Sequence, residues 1–171
     1  MKNDRLAPLL HYIISKVDTA ELGAVKLNKI AWFADRDSYI RFGQTISGRD
    51  YIKLERGPVP EGVAHDLETL KRAGKIMERR VKIVDFSRRE FVSHSDPDMS
   101  DFKPQELEII DAVIDFVRHK TATEISEISH DEVWESCDLG DKIPMAKAAA
   151  AALLQPIDER AFRWARQIEK I

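Results

Sequence analysis

The stretch from Leu22 to Phe42 constrains the fold more than any other part of the chain. Its apolar residues (Leu27, Ile30, Ala31, Trp32, Phe33, Ala34, Ile40) spread beyond the single stripe of a surface helix, and Gly43 follows as a stop. A helix apolar on that many sides has to lie centrally, with neighbours on several flanks. The sequence supplies those neighbours. Leu6, Leu9, Leu10, Ile13, Ile14 and Val17 recur at helical spacing behind Asp4 as an N-cap. A third helix is predicted from Pro60 through Val63, Leu67 and Leu70 to Gly74. A fourth opens at Pro104, with Leu107, Ile110, Val113, Ile114 and Val117 on one side. Thr121 and Glu124 form a capping box for a short fifth helix through Ile125 and Ile128. An alanine run, Ala148 to Ala152, and a last helix around Ala161 to Ile168 finish the chain.

One region reads as β. Ile76 to Phe86 is rich in β-branched residues, Ser87-Arg88-Arg89 is a predicted turn, and Glu90-Phe91-Val92 returns. A lone hairpin is marginal in water, so it must pack on the helices. Tyr51-Ile52-Lys53-Leu54, between Gly48 and the Gly57-Pro58-Val59-Pro60 run, is either extended or a helical turn. The expected fold is mainly α within the α+β class: a compact helical domain carrying a small β-hairpin. At 171 residues this is one domain's worth of chain, so residues 1–171 are expected to form a single domain. Its motif core covers about 22–144, and 145–171 is a C-terminal helical extension.

Other classes lose support on simple grounds. A single cysteine, Cys137, leaves no internal disulfide framework and fits a reducing cytosol. No run approaches a membrane span or a secretory signal, so the expected location is cytoplasmic. The formal net charge of −3 gives no bulk attraction to nucleic acid or an anionic membrane. That figure hides a split. Lys71, Arg72, Lys75, Arg79, Arg80, Lys82, Arg88 and Arg89 crowd residues 71–90, while residues 94–141 are acidic. Either the two regions neutralise each other or face solvent, or the surface is bipolar and steers an oppositely charged partner.

Catalytic patterns are thin. His65-Asp66 and His130-Asp131 are both His-Asp pairs, and a metal-dependent hydrolase built on them would need further ligands to converge. Cys137 has no histidine near it in sequence, and no G-x-S-x-G elbow exists. Gly57-Pro58-Val59-Pro60 puts prolines where a phosphate loop needs N–H donors. No cofactor is expected. Hairpin arginines interleaved with Phe86 and Phe91 could track a nucleic-acid backbone, but the acidic second half would repel phosphates.

Three stretches are more specific. The first is Lys26-Leu27-Asn28-Lys29-Ile30-Ala31-Trp32-Phe33-Ala34-Asp35, lysines three apart beside an aromatic pair. The second is Ile46-Ser47-Gly48-x-x-Tyr51, followed by Arg56-Gly57-Pro58-Val59-Pro60. The third is Glu124-Ile125-Ser126-x-x-Ser129-His130-Asp131-x-x-Trp134, closed by Gly140 and Ile143-Pro144. In this order and spacing they resemble the Panacea domain of the SocA-like antitoxin family.

The resemblance implies a mainly α fold with a small β element and a non-enzymatic antitoxin of a type II toxin–antitoxin system. Such a protein neutralises a cognate toxin, encoded nearby, by direct binding. The alternative is a proteolytic adaptor that delivers the toxin to a ClpXP-type protease. This chain is expected to be the bare domain, without the DNA-binding module some members carry. Lys26, Lys29, Trp32, Gly48, Tyr51, Gly57, Pro58, Ser129 and His130 read as folding determinants of that scaffold. Arg56, Arg79, Arg88 and Trp134 are the expected partner contacts, chosen for residue type and for lying on a hairpin or near a break.

Overall fold

The computed structural model describes residues 4–154. Its first two helices are α1 (Leu6–Lys16) and α2 (Thr19–Phe42). α2 is capped by Asp18, which accepts from Ala20 N at 2.9 Å, and by left-handed Gly43. Gly23, at φ 64° and ψ 166°, kinks it just after the first turn. As its apolar pattern requires, α2 runs through the middle, with Leu27, Ile30, Ala31, Trp32, Phe33 and Ala34 at or near zero exposure. α1 packs Leu6, Leu9, Leu10, Ile13 and Ile14 into the same core. Asp4 is not its N-cap. Arg5 holds that position, with its N–H on Ser47 O at 2.9 Å and its guanidinium on Glu106, while the Asp4 carboxylate binds Arg49.

The 51–60 segment is a second hairpin, which the sequence did not announce. β1 (Tyr51–Leu54) pairs antiparallel with β2 (Gly57–Pro60), from Tyr51 opposite Pro60 to Leu54 opposite Gly57. β5 (Lys142–Ile143) lies on the other side of β1, giving the order β2-β1-β5. Pro60 therefore ends a strand instead of opening a helix. An edge strand tolerates the two prolines because its outward N–H groups have no ladder partner to lose. α3 (Val63–Arg72) starts three residues later, after Gly62 at φ 78°.

The expected hairpin is β3 (Ile76–Ile83) with β4 (Phe86–Ser93). Its turn is Val84-Asp85, not Ser87-Arg88-Arg89, which pair opposite Lys82, Val81 and Arg80. The core decides the register. Ile76 and Phe91 are buried, and a one-residue slip would turn Phe91 out to solvent. Three of the hairpin's five cations are neutralised locally, not by the acidic half of the chain. Arg79 and Arg88 bind Glu90, and Arg89 and Lys71 bind Glu78.

α4 (Pro104–Arg118) and α5 (Ala122–Ser129) form as predicted. In α5, Thr121 Oγ1 accepts from Glu124 N at 3.1 Å and Thr121 N donates back to the Glu124 carboxylate at 2.6 Å. A one-turn helix, α6 (Glu132–Ser136), was not foreseen; Asp131 caps it through Trp134 N at 2.9 Å. The alanine run lies in α7 (Met145–Leu154). The helix predicted around 161–168 falls outside the described residues. α2 touches α1, α4, α5, α7, β2 and β4, so about half of the other described elements are positioned directly from it.

Candidate functional site

Lys26, Lys29, Trp32 and Asp35 step along α2 three residues apart, and each ties the helix to a different segment. Lys26 donates to Arg118 O at 3.2 Å, meeting the last turn of α4 where orphan carbonyls attract a cation. Trp32 is fully buried and meets Tyr51 of β1 edge-on, centroids 5.0 Å apart. Asp35 is wholly buried and accepts from Ile46 N at 2.7 Å, Ser47 N at 2.8 Å, Tyr51 OH at 2.7 Å and Ser47 Oγ. Burial pushes the Asp35 carboxyl upward while those donors oppose the rise, and burial beside it drives the Tyr51 hydroxyl well up. Gly48, at φ 74°, turns the loop that presents the Ile46 and Ser47 donors. Asp35 was not singled out from the sequence. The available signal was an acidic residue closing the apolar run Ile30 to Ala34, one turn after Trp32.

Lys29 is the most unusual group. It is 1% exposed, and its ammonium donates to Pro58 O at 2.9 Å. Burial brings its pKa down to about 7. Beside it, Gly57 sits at φ 109°, and a Cβ there would lie 2.4 Å from Ser129 Oγ and 2.7 Å from Lys29 Cε. β2, α2 and α5 thus meet at a point only glycine can occupy. Ser129 Oγ donates to Ser126 O at 2.7 Å, closing the last turn of α5. His130, the C-cap of α5, stacks on Trp134 at 3.8 Å with an interplanar angle of 7°. Lys53 Nζ sits 3.9 Å from the Trp134 ring centre and donates to Cys137 O at 2.8 Å. Burial, then the nearby Lys29 and Lys53 charges, lowers the His130 pKa.

The fold therefore gathers Lys29, Gly57, Pro58, Ser129, His130 and Trp134 into one junction, with Trp32 and Tyr51 in the adjoining layer. Arg56 is exposed on the β1–β2 turn at its rim. Arg79 and Arg88 lie apart, on β3 and β4. Within the junction the groups of chemical interest are closed off. Ser129 and Lys29 are sealed in, and Cys137 Sγ faces Val133 O at 3.3 Å. His65 is exposed on α3 while Asp66 binds Arg49 at 3.0 Å. Among the described residues no three His, Cys, Asp or Glu side chains gather as metal ligands. A cleft of about 690 Å³ opens beyond Tyr51. Its ionic lining is largely paired: Arg5 with Glu106, Arg49 with Asp4 and Asp66, Lys142 with Asp50.

A family model described as antitoxin SocA-like, Panacea domain, matches residues 27–135. This chain belongs to the SocA-like, Panacea-domain antitoxin family. The match begins at Leu27 on α2 and ends one residue past Trp134, so it takes in every junction residue. Lys26, β5 and α7 lie outside it. No curated protein and no solved structure matches the chain. In Panacea-domain terms, the three motifs are one object here. The first supplies Lys29 and Trp32, the second brings Gly57 and Tyr51 against them, and the third closes the junction with Ser129 and the His130–Trp134 stack. Among the described residues no helix is long and apolar enough to cross a membrane.

Proposed function

We propose that this Panacea-family chain is the antitoxin of a type II toxin–antitoxin pair and neutralises a cognate toxin by covering it. The observation that carries this reading is the family match together with the use made of the motif residues. They fix the relative positions of α2, the β1–β2 hairpin and α5–α6, which favours a preformed surface for a protein partner over a reaction centre. A rigid surface loses little conformational freedom on association and so keeps more of its contact energy as affinity. Arg56 at the β1–β2 turn, Arg79 and Arg88 on the hairpin, and the half-buried Trp134 are the proposed toxin contacts. The lone Cys137 supports action in the reducing cytosol.

Co-expression with the adjacent gene tests the proposal. The neighbour should arrest growth alone, be silenced by this chain, and co-purify with it. A neighbour that is harmless alone and forms no complex would refute it. Toxin half-life separates the mechanisms: masking leaves it unchanged or longer, whereas delivery to a ClpXP-type protease shortens it.

A further inference from the structure

The outer half of the β3–β4 hairpin is two-faced. The register sets Arg80 opposite Arg89 and Lys82 opposite Ser87 on one face. Val81 opposite Arg88 and Ile83 opposite Phe86 share the other. Nearer the body the ribbon is mostly engaged, with Ile76 and Phe91 in the core and the two glutamates held by Arg79, Arg88, Arg89 and Lys71. Arg80 and Lys82 are exposed and make no ion pair among the described residues. At the tip, Phe86 is 61% and Val84 87% exposed. Val84 is also held at φ 38°, a region a β-branched residue avoids. Strain and exposed apolar surface at one projecting turn point to contact with something else.

The complement lies on the same chain. Glu127, Glu132, Glu135, Asp138 and Asp141 are exposed along α5, α6 and the following turn, and make no ion pair among the described residues. Ile128 at 41% and Leu139 at 67% exposure sit among them. Of the cations near this face, Lys53 is held by the Trp134 ring and Cys137 O and Lys142 by Asp50 and Glu61, while Arg56 stands exposed at its rim on the β1–β2 turn. The outer ribbon thus carries unmatched cations on one face, with exposed apolar groups at its tip and on the opposite face, and the α5–α6 surface carries unmatched anions beside exposed apolar groups. We propose that the outer β3–β4 hairpin is a self-association arm that docks on the acidic α5–α6 face of a second copy of this chain. The Arg80–Lys82 face of the ribbon meets the carboxylates, and Val84 at the turn meets Ile128 and Leu139. A nucleic acid or an anionic membrane would also meet the cations, but it would face a chain of net charge −3 and leave the acidic face unmatched.

Light scattering on the full-length chain, at rising concentration in low and high salt, tests this without any toxin. The wild type should form dimers that weaken in high salt. R80E/K82E and E135K/D138K should each raise the dimer dissociation constant about tenfold or more, and combining the four substitutions should restore association. All sites are exposed, and far-UV circular dichroism verifies that each variant is folded. A wild type that stays monomeric, a dimer indifferent to R80E/K82E, or a quadruple variant that fails to recover would each overturn the proposal. So would a monomer whose R80E/K82E variant loses binding to duplex DNA or to phosphatidylserine vesicles.

Discussion

Lys29→Met should abolish a pH dependence of stability that a surface lysine does not have. The ammonium is sealed under β2 with one acceptor, Pro58 O at 2.9 Å, and burial brings its pKa from 10.5 to about 7. In the unfolded chain it titrates near its ordinary value of about 10.4. Between those two values the unfolded chain binds the extra proton, so stability rises with pH across the window. Below the folded-state value the burial penalty acts in full; above the unfolded value it is gone. One proton gives at most about 1.4 kcal/mol per pH unit, so the whole window bounds the effect at about 5 kcal/mol. Methionine keeps most of the volume and carries no charge. It leaves Pro58 O without its donor, a cost of about 1–3 kcal/mol that does not vary with pH. Urea titrations of both proteins, from just below neutrality to strongly alkaline pH, give the difference in unfolding free energy, in which the other titrating groups cancel. That difference should climb in favour of the wild type by several kcal/mol. A flat difference would mean that the folded protein keeps the Lys29 ammonium solvated and charged, and the dry junction described above would be wrong.

Gly57→Ala drives a methyl into Ser129 Oγ and Lys29 at a strained φ, and should cost about 3 kcal/mol or more. In thermal melts G57A/S129A should recover part of this, because the hydroxyl clash is gone while the backbone strain remains. Asp35→Ala strips the acceptor from Ile46 N, Ser47 N, Ser47 Oγ and Tyr51 OH. The expected loss is about 3–5 kcal/mol by chemical denaturation, with faster proteolysis of the 43–50 loop. Val84→Asn should do the opposite. Asparagine tolerates positive φ, and relief of about 1 kcal/mol would raise Tm by about 3 °C. An unchanged or lower Tm would show that the turn is not strained.

Elements longer than two turns were legible in the sequence, since their burial follows a helical period that local composition displays. α1, α2, α4 and the Thr121–Glu124 capping box match expectation. The misreadings share a cause: the deciding partner lies far along the chain. β1 is a strand because β2 and β5 flank it, and β5 is a two-residue element drawn from residues 142–143. Pro60 looked like a helix start because N1 proline is a local rule, whereas its place on an edge strand is a tertiary fact. Ser87-Arg88-Arg89 looked like a turn from polarity alone, but buried Ile76 and Phe91 set the register. At the site, the three motifs were visible as motifs, and their convergence was not. Gly57 was read as relief before proline. Its crowding by Ser129 and Lys29 comes from segments dozens of residues away in either direction. Asp35 and the Arg5–Glu106 pair gave no local sign of burial, because charged residues are ordinarily exposed.

The two buried charges on α2 act together in a way neither explains alone. Lys29 reaches Pro58 O and Asp35 reaches the Ile46 and Ser47 amides, so both ends of the 46–60 segment are tied to one helix less than two turns apart. Neither contact is an economical way to gain stability, since hydrophobic replacements usually stabilise a core better than buried charges do. What the pair supplies is positional. The apolar core alone would tolerate β1–β2 sliding along α2, but a displaced hairpin would leave an ammonium and a carboxylate buried without partners. Arg56 and the α5–α6 rim are therefore carried on a frame that cannot shift independently. The outer β3–β4 hairpin, beyond its two glutamate clusters, has no such tether. A molecule that works by covering a partner would combine these properties: a face fixed in advance for affinity, and one projecting arm whose exposed apolar tip is left for another polypeptide to bury.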